Sequence, residues 1–306
     1  MQDAVDNCIS LIEQRFREVA CRGCWIDLRH WLQCFAFDAI GEITLSKRFG
    51  FLDDGCDPEG LMPTAKSAII QGALAGVFPE LHKPIFKVMK FLGGQDKLKV
   101  GQFAQKQVQE RMRFTKTDQP PSGEADFLTN LLRLHHDKPE EMSMENVLLT
   151  IGGNIGAGSD TTSITLTAIM WHLIQNNHAM DTLRAEIDKK AKSGEISDPI
   201  SFAQAQKLPY LQAVVKEGLR LHPATGLPLW RVVPQGGAEI AGKYFPEGST
   251  IGINAWVANS NPTIFGENAD RFEPERWLSK EADVQRMERN LFTLDGDLQG
   301  GAAVGP

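Results

Sequence analysis

The sequence predicts a mainly α-helical protein with a long central helix and a small β region in its C-terminal third. Three observations carry that prediction. Apolar residues recur at helical spacing through most of residues 1–221. The stretch from Val147 to His172 carries no charge except Asp160. Beyond Pro223 the texture changes to short β-prone runs separated by glycine turns.

Taken in order, Val5, Ile9, Ile12, Phe16 and Val19 set one helix over residues 1–20. Leu28, Leu32, Phe35, Ala39 and Ile43 form the stripe of a second, from about Asp27 to Leu45. Asp53-Asp54-Gly55 and Asp57-Pro58 then punctuate a loop. Helices follow at about 61–76, 81–92 and 96–115, and Thr115 to Glu124, with Pro120-Pro121-Ser122-Gly123, reads as an exposed linker. Ser143 can cap the long helix, with Glu145 in its first turn complementing the positive end. Asn177 to about Lys192 forms another helix. A further one starts at Pro209, which suits a first turn, and must end by Pro223. Ala238-Glu239-Ile240, Lys243-Tyr244-Phe245 and Ser249 to Asn254 read as strands, separated by turns at Ala241-Gly242 and Pro246-Glu247-Gly248.

Composition narrows the function classes. The chain has 306 residues, enough for one large domain or two smaller ones, and 42% hydrophobic against 23% charged residues excludes wholesale disorder. A net charge of −7 gives no footprint for nucleic acid, so none is expected as a partner. All five cysteines, Cys8, Cys21, Cys24, Cys34 and Cys56, lie in the first fifth of the chain. An odd number, with no signal-like run in Met1 to Ser10, points to a reducing compartment. Cys21-Arg22-Gly23-Cys24 could be redox-active or half of a zinc site recruiting Cys34 or His30. No second Cys-x-x-Cys appears and no thioredoxin-like context surrounds it, so reduced thiols are the expectation.

Two constellations carry chemistry. The long helix reads Gly152-Gly153-Asn154-Ile155-Gly156-Ala157-Gly158-Ser159-Asp160-Thr161-Thr162. Each interior glycine costs about 1 kcal/mol relative to Ala, so something compensates. Close approach of a flat ligand is one candidate, and a buried core helix with small packing residues is the other. Thr161 can bond the Ala157 carbonyl four residues back, opening a polar notch beside Asp160 in which the two could relay protons. A dinucleotide loop is excluded because Gly156-x-Gly158 lacks the third glycine. A membrane span would place Asp160 near its centre at a cost of about 2.5–3.5 kcal/mol. The second constellation is Glu217-x-x-Arg220, on neighbouring turns of the helix from Pro209. Glu217 shares a face with Ala213, Val214 and Leu221, which argues for burial, and Phe272-Glu273-Pro274-Glu275-Arg276-Trp277 supplies a third member, Arg276.

Together these segments resemble the cytochrome P450 family of haem-thiolate monooxygenases. Ala157-Gly158-Ser159-Asp160-Thr161-Thr162 is similar to the family's oxygen-activation motif. Glu217-x-x-Arg220 with Arg276 is similar to its Glu-Arg-Arg lock, and Leu221-His222-Pro223, Arg231-Val232-Val233 and Asn259-Ser260-Asn261-Pro262 match in order and spacing. Asp27-Leu28-Arg29-His30-Trp31 and Gly41-Glu42-Ile43-Thr44 resemble filamentous-fungal members of the pisatin demethylase type. The resemblance implies a partial P450 fold with haem b as cofactor, a small organic substrate, and electrons from NADPH through a separate reductase. It implies Thr161 as the hydrogen-bond partner of bound dioxygen, Asp160 as proton donor, and Ala157 and Gly158 against the distal haem face. Arg231 would pair with a haem propionate. Ala224 to Pro228 would line an apolar substrate cavity with Phe78 and Leu229, and Glu217, Arg220 and Arg276 would be structural.

The family's late Phe-Gly-x-Gly-x-Arg-x-Cys-x-Gly loop has no counterpart here. Met287 to Thr293 match its approach, but residues 294–306 diverge and no cysteine follows Cys56, so no metal ligand is assigned. The expected organisation is a partial P450 domain over 1–293, without the family's N-terminal region and cysteine loop, and a divergent tail over 294–306. The thiolate favours O–O cleavage, so the expectation is a catalytically incomplete monooxygenase. The alternative is a non-catalytic helical remnant that binds partners and no haem. The family's endoplasmic-reticulum location is expected only with an anchor, and without one the chain would be cytoplasmic.

Overall fold

The structure, a computed structural model, describes residues 2–77, 84, 88, 99–114 and 126–293. The chain divides into two compact units, Met1–Ile164 and Thr165–Pro306. The predicted helix over 81–92, the linker over 115–124 and the tail from 294 lie outside the described residues, apart from the helical positions 84 and 88.

In the first unit α1 (Gln2–Arg22) packs on α2 (Leu28–Leu45), where the apolar stripes placed them. Asp27 caps α2 by accepting from the His30 amide at 3.1 Å. Cys8, Ile12, Leu32, Cys34, Phe37, Phe51 and Leu52 are buried. One stretch read as loop is partly a helical turn, α3 (Phe51–Asp54). The reason is tertiary: the buried Asp38 carboxylate of α2 accepts from the amides of Gly50, Phe51 and Leu52 at 2.9, 3.3 and 3.0 Å. These are orphan donors of a helix start, satisfied by a residue twelve or more positions away. Helices α4 (Leu61–Val77) and α5 (Lys99–Phe114) follow the predicted spans. Helix α6 (Phe127–Asp137) was not anticipated; Asp126 caps it at 2.7 Å to the Thr129 amide and also binds Arg111 at 2.8 Å.

Helix α7 (Met144–Gln175) is longer than the uncharged stretch, and the unit boundary falls within it. Ser143 caps it as predicted, accepting from the Asn146 amide at 3.1 Å. Among the described residues no helix is long and apolar enough to cross a membrane.

In the second unit α8 (Asn177–Lys192) is capped by Asn176, and α9 (Phe202–Ala205) by a reciprocal Ser201/Gln204 box. Helix α10 (Pro209–Leu221) has the predicted span. Its cap comes from afar: Glu186 accepts from the amides of Tyr210 and Leu211 at 2.9 and 3.0 Å. Strand β1 (Leu229–Val232) is paired antiparallel with β4 (Thr250–Ile253), so that Arg231 faces Ile251. Strands β2 (Ala238–Ile240) and β3 (Lys243–Phe245) form a hairpin, with Ala241 and Gly242 at φ 49° and 73° making the two-residue turn. Helices α11 (Ala255–Ala258) and α12 (Pro262–Phe265), a 3-10 turn over Pro274–Leu278 and α13 (Glu281–Arg289) complete the unit.

Helix α10 lies between two apolar clusters. Tyr210 and Val214 join Ile169, Leu173, Ala179, Leu183 and Phe272, while Ala213 joins Phe265, Ala269, Trp277 and Met287. The polar residues of α10 that lie between those clusters are consequently removed from water.

Candidate functional site

Helix α7 presents two faces with different chemistry. Val147, Ile151, Ile155, Ser159 and Ser163, four residues apart, form its buried stripe, and the wholly buried Ser159 donates to the Ile155 carbonyl at 2.7 Å. Gly158 belongs to this side. A Cβ there would lie 2.8 Å from Cδ1 and 2.9 Å from Cγ1 of Ile40 in α2, so its missing side chain serves helix packing. Ala157 is exposed, and Asp160 and Thr161 are half-buried. The Thr161 hydroxyl donates to the Ala157 carbonyl at 2.8 Å, as the spacing predicted. Asp160 has no side-chain hydrogen bond among the described residues. A Cβ built on Gly152, Gly153 or Gly156 would meet no atom within 4 Å, which leaves the helix backbone approachable along that side.

The second constellation assembles completely. Glu217 is 0% and Arg220 1% exposed. Oε1 of Glu217 accepts from Arg220 Nη2 at 2.8 Å, Arg276 Nε at 2.9 Å and the Glu273 amide at 3.0 Å. Oε2 accepts from Arg220 Nε and the Trp277 indole, both at 2.9 Å. Arg220 uses all its N–H groups, since Nη1 also donates to the carbonyls of Asn259 and Ala269 at 2.8 and 2.6 Å, and Nη2 to that of Arg271 at 3.0 Å. Arg276 donates further to the Phe265 and Asn268 carbonyls. Burial by itself would raise the Glu217 carboxyl's pKa. The bonds from Arg220, the charges of Arg220 and Arg276 and the Glu273 amide outweigh it and hold the carboxyl below its ordinary value. Such a buried ion cluster survives because every N–H of Arg220 and both Glu217 oxygens are used. It has no free group for catalysis. The sequence named the three charged members; Trp277, the Glu273 amide and Asn259 were quoted in its motifs but given no role.

Arg231 lies in the second unit, exposed on β1, with Nη1 donating to the Trp230 carbonyl at 2.8 Å. Leu227 is half-buried; Phe78 and the side chain of Leu229 lie outside what the structure describes.

The cytochrome P450 family model matches residues 1–291. The chain belongs to the cytochrome P450 family. It is 34% identical to a pisatin demethylase of Fusarium vanettenii, over 92% of this chain and 55% of that protein. It is 36% identical to the cytochrome P450 monooxygenase cicH of Emericella nidulans, over 87% of this chain and 53% of that one. Against the cytochrome P450 monooxygenase ACRTS1 of Alternaria alternata it is 31% identical, over 96% of this chain and 79% of the relative. The chain thus spans about half the length of the first two relatives.

The family implies haem, and the residues present can be tested against it. The open glycines of α7 suit close approach of a flat ring. The thiols do not suit the iron. Burial, and secondarily the Asp38 carboxylate, pushes Cys8 up to about 11 and Cys34 up to about 12, so both are neutral thiols. Cys34 also contacts His30 Nε2 at 3.6 Å. Cys21, Cys24 and Cys56 are exposed and free. Among the described residues no three His, Cys, Asp or Glu side chains converge to hold a metal ion. Open glycines on α7 and neutral buried thiols are what the described residues offer such a group.

Proposed function

We propose that this chain is part of a haem-dependent monooxygenase that oxidises a small organic substrate with dioxygen and reductase-supplied electrons, and that residues 1–306 alone do not sustain the reaction. The single observation that carries the first half is the fully satisfied Glu217–Arg220–Arg276 cluster, in a chain whose residues 1–291 match the family. The second half rests on the cysteines: none follows Cys56, and neither buried thiol is a thiolate.

In this reading Ala157 and the glycine face of α7 lie against the cofactor, with Gly158 holding that helix to α2. The Thr161 hydroxyl, having donated its proton to Ala157, presents lone pairs to a water or a substrate hydroxyl. Asp160, half-buried and without a side-chain hydrogen bond among the described residues, takes protons from solvent and passes them inward. Arg231, exposed on β1, is free to turn from the Trp230 carbonyl toward a carboxylate such as a propionate. In this reading the P450 domain extends over 1–293, and residues 294–306 diverge from the family in sequence.

Reconstitution of the purified chain with haemin, followed by reduction under carbon monoxide, tests both halves. Haemin uptake without the red-shifted Soret band of a thiolate-bound carbonyl complex is the expected result. A thiolate-type band would overturn the second half, and no specific uptake would overturn the first in favour of a helical protein that binds partners and no haem.

A further inference from the structure

Asn259 is a C-terminal cap residue of a four-residue helix, α11, and it is 0% exposed. An uncharged polar side chain is seldom removed from water so completely unless its hydrogen bonds are fully accounted for. Here each of its polar atoms has a partner. Its backbone amide donates to the Ala255 carbonyl at 2.9 Å, and its backbone carbonyl accepts from Arg220 Nη1 at 2.8 Å. Its side chain meets one residue twice: Nδ2 donates to the Phe292 carbonyl at 2.9 Å, and Oδ1 accepts from the Phe292 amide at 2.9 Å.

That pair of hydrogen bonds has the pattern of two strands in a ladder, with a side-chain amide playing the part of a backbone. Only a side chain offering a donor and an acceptor on one planar head can make it. Position 292 is also where such a fastening has most effect. Helix α13 ends at Arg289, and the Asn290 and Leu291 amides close its last turn on Met287 and Glu288. Phe292 is the next residue, and its amide and carbonyl no longer have helical partners.

We propose that Asn259 is a positioning residue: its amide head fastens the backbone at Phe292, where the chain leaves α13, to the Arg220 guanidinium of the buried cluster. The cluster, itself pinned by Glu217, then sets where the backbone stands at Phe292 as it leaves α13. In the reading proposed above Phe292 lies at the end of the domain over 1–293, which this fastening closes, and only that purpose rests on that reading. The fastening is a property of the protein without haem, so its test and the haemin test fail separately.

Hydrogen exchange reads it directly. Leu291-Phe292 is the only Leu-Phe pair in the sequence, so carbonyl-labelled leucine with nitrogen-labelled phenylalanine isolates the Phe292 amide in one resonance. The Trp277 indole N–H, bonded to Glu217 at 2.9 Å, reports the cluster independently in the same sample. Asn259→Ala should cut protection of the Phe292 amide by about tenfold to a hundredfold and leave the Trp277 indole unchanged. Asn259→Asp, similar in shape but without the donor, sets an oxygen against the Phe292 carbonyl and should likewise lower protection of the Phe292 amide. Loss of both signals together in Asn259→Ala would reduce Asn259 to a core-filling residue. An unchanged Phe292 amide in Asn259→Ala would show that nothing is fastened there, and full Phe292 protection in Asn259→Asp would show that the donor half of the pair is idle, which equally overturns the proposal.

Discussion

Replacing Glu217 by Gln keeps its shape and removes its charge, and the structure fixes what is lost. If the new amide nitrogen stands where Oε2 was, Arg220 Nε and the Trp277 indole lose their acceptor. If it stands where Oε1 was, Arg220 Nη2, Arg276 Nε and the Glu273 amide lose theirs. The first orientation is cheaper, yet it leaves Arg220 without a counter-charge and Arg276 with only the partly exposed Glu273, in side chains 0% and 9% exposed. Breaking such a buried pair costs about 3–5 kcal/mol. With a urea dependence near 2 kcal/mol/M, the unfolding midpoint of the second unit should fall by about 1.5–2.5 M. The assay is urea unfolding followed through the Trp277 indole. Glu273→Gln is the control: that carboxylate is 38% exposed and 3.6 Å from Arg276, so its loss should move the midpoint by less than about 0.5 M. The sign with pH follows from the lowered carboxyl. A depressed folded-state pKa contributes stability above the ordinary value of 4.5 and loses it as pH falls through the folded value. The stability gap between the parent protein and the Glu217→Gln variant should therefore be at its full size above pH 4.5 and close as pH falls through the folded-state value. A Glu217→Gln shift no larger than the control, or a gap independent of pH, would refute the reasoning.

Three further outcomes follow from the geometry of α7. Gly158→Ala should destabilise by about 1–3 kcal/mol through the clash with Ile40, and in an Ile40→Ala background the same change should turn favourable by up to about 1 kcal/mol. Additive effects in thermal unfolding of the four proteins would overturn the packing role. Gly156→Ala, with nothing within 4 Å of the new Cβ, should raise stability by up to about 1 kcal/mol and weaken haemin uptake in a fluorescence-quenching titration. Unaltered uptake would remove this face from the haem surface. Thr161→Ala should change stability by less than about 0.5 kcal/mol, because the lost bond to Ala157 is a local one on a half-buried turn. A larger drop in unfolding temperature would mean that the hydroxyl has a structural task.

What the sequence determined by itself is local. Caps at Asp27, Ser143 and Asn176 act within one turn, Pro209 starts α10, and Ala241-Gly242 makes a two-residue hairpin turn. Apolar spacing placed α1, α2, α8 and α10 to within a few residues, and the Thr161 bond to Ala157 follows from one helical turn. The charged members of the Glu217 cluster were legible because the motif's order and spacing carry them. Its remaining partners were not, since the Trp277 indole, the Glu273 amide and the carbonyls of Asn259, Ala269 and Arg271 converge only when segments dozens of residues apart pack around α10. The same holds for Asp38 organising α3 and for Glu186 capping α10. Periodicity told of a helix with four glycines but not of two faces. Only packing against Ile40 assigns Gly158 to the contact with α2 and leaves Gly152, Gly153 and Gly156 open, because a missing side chain reads identically in sequence whether a neighbour or nothing fills the space.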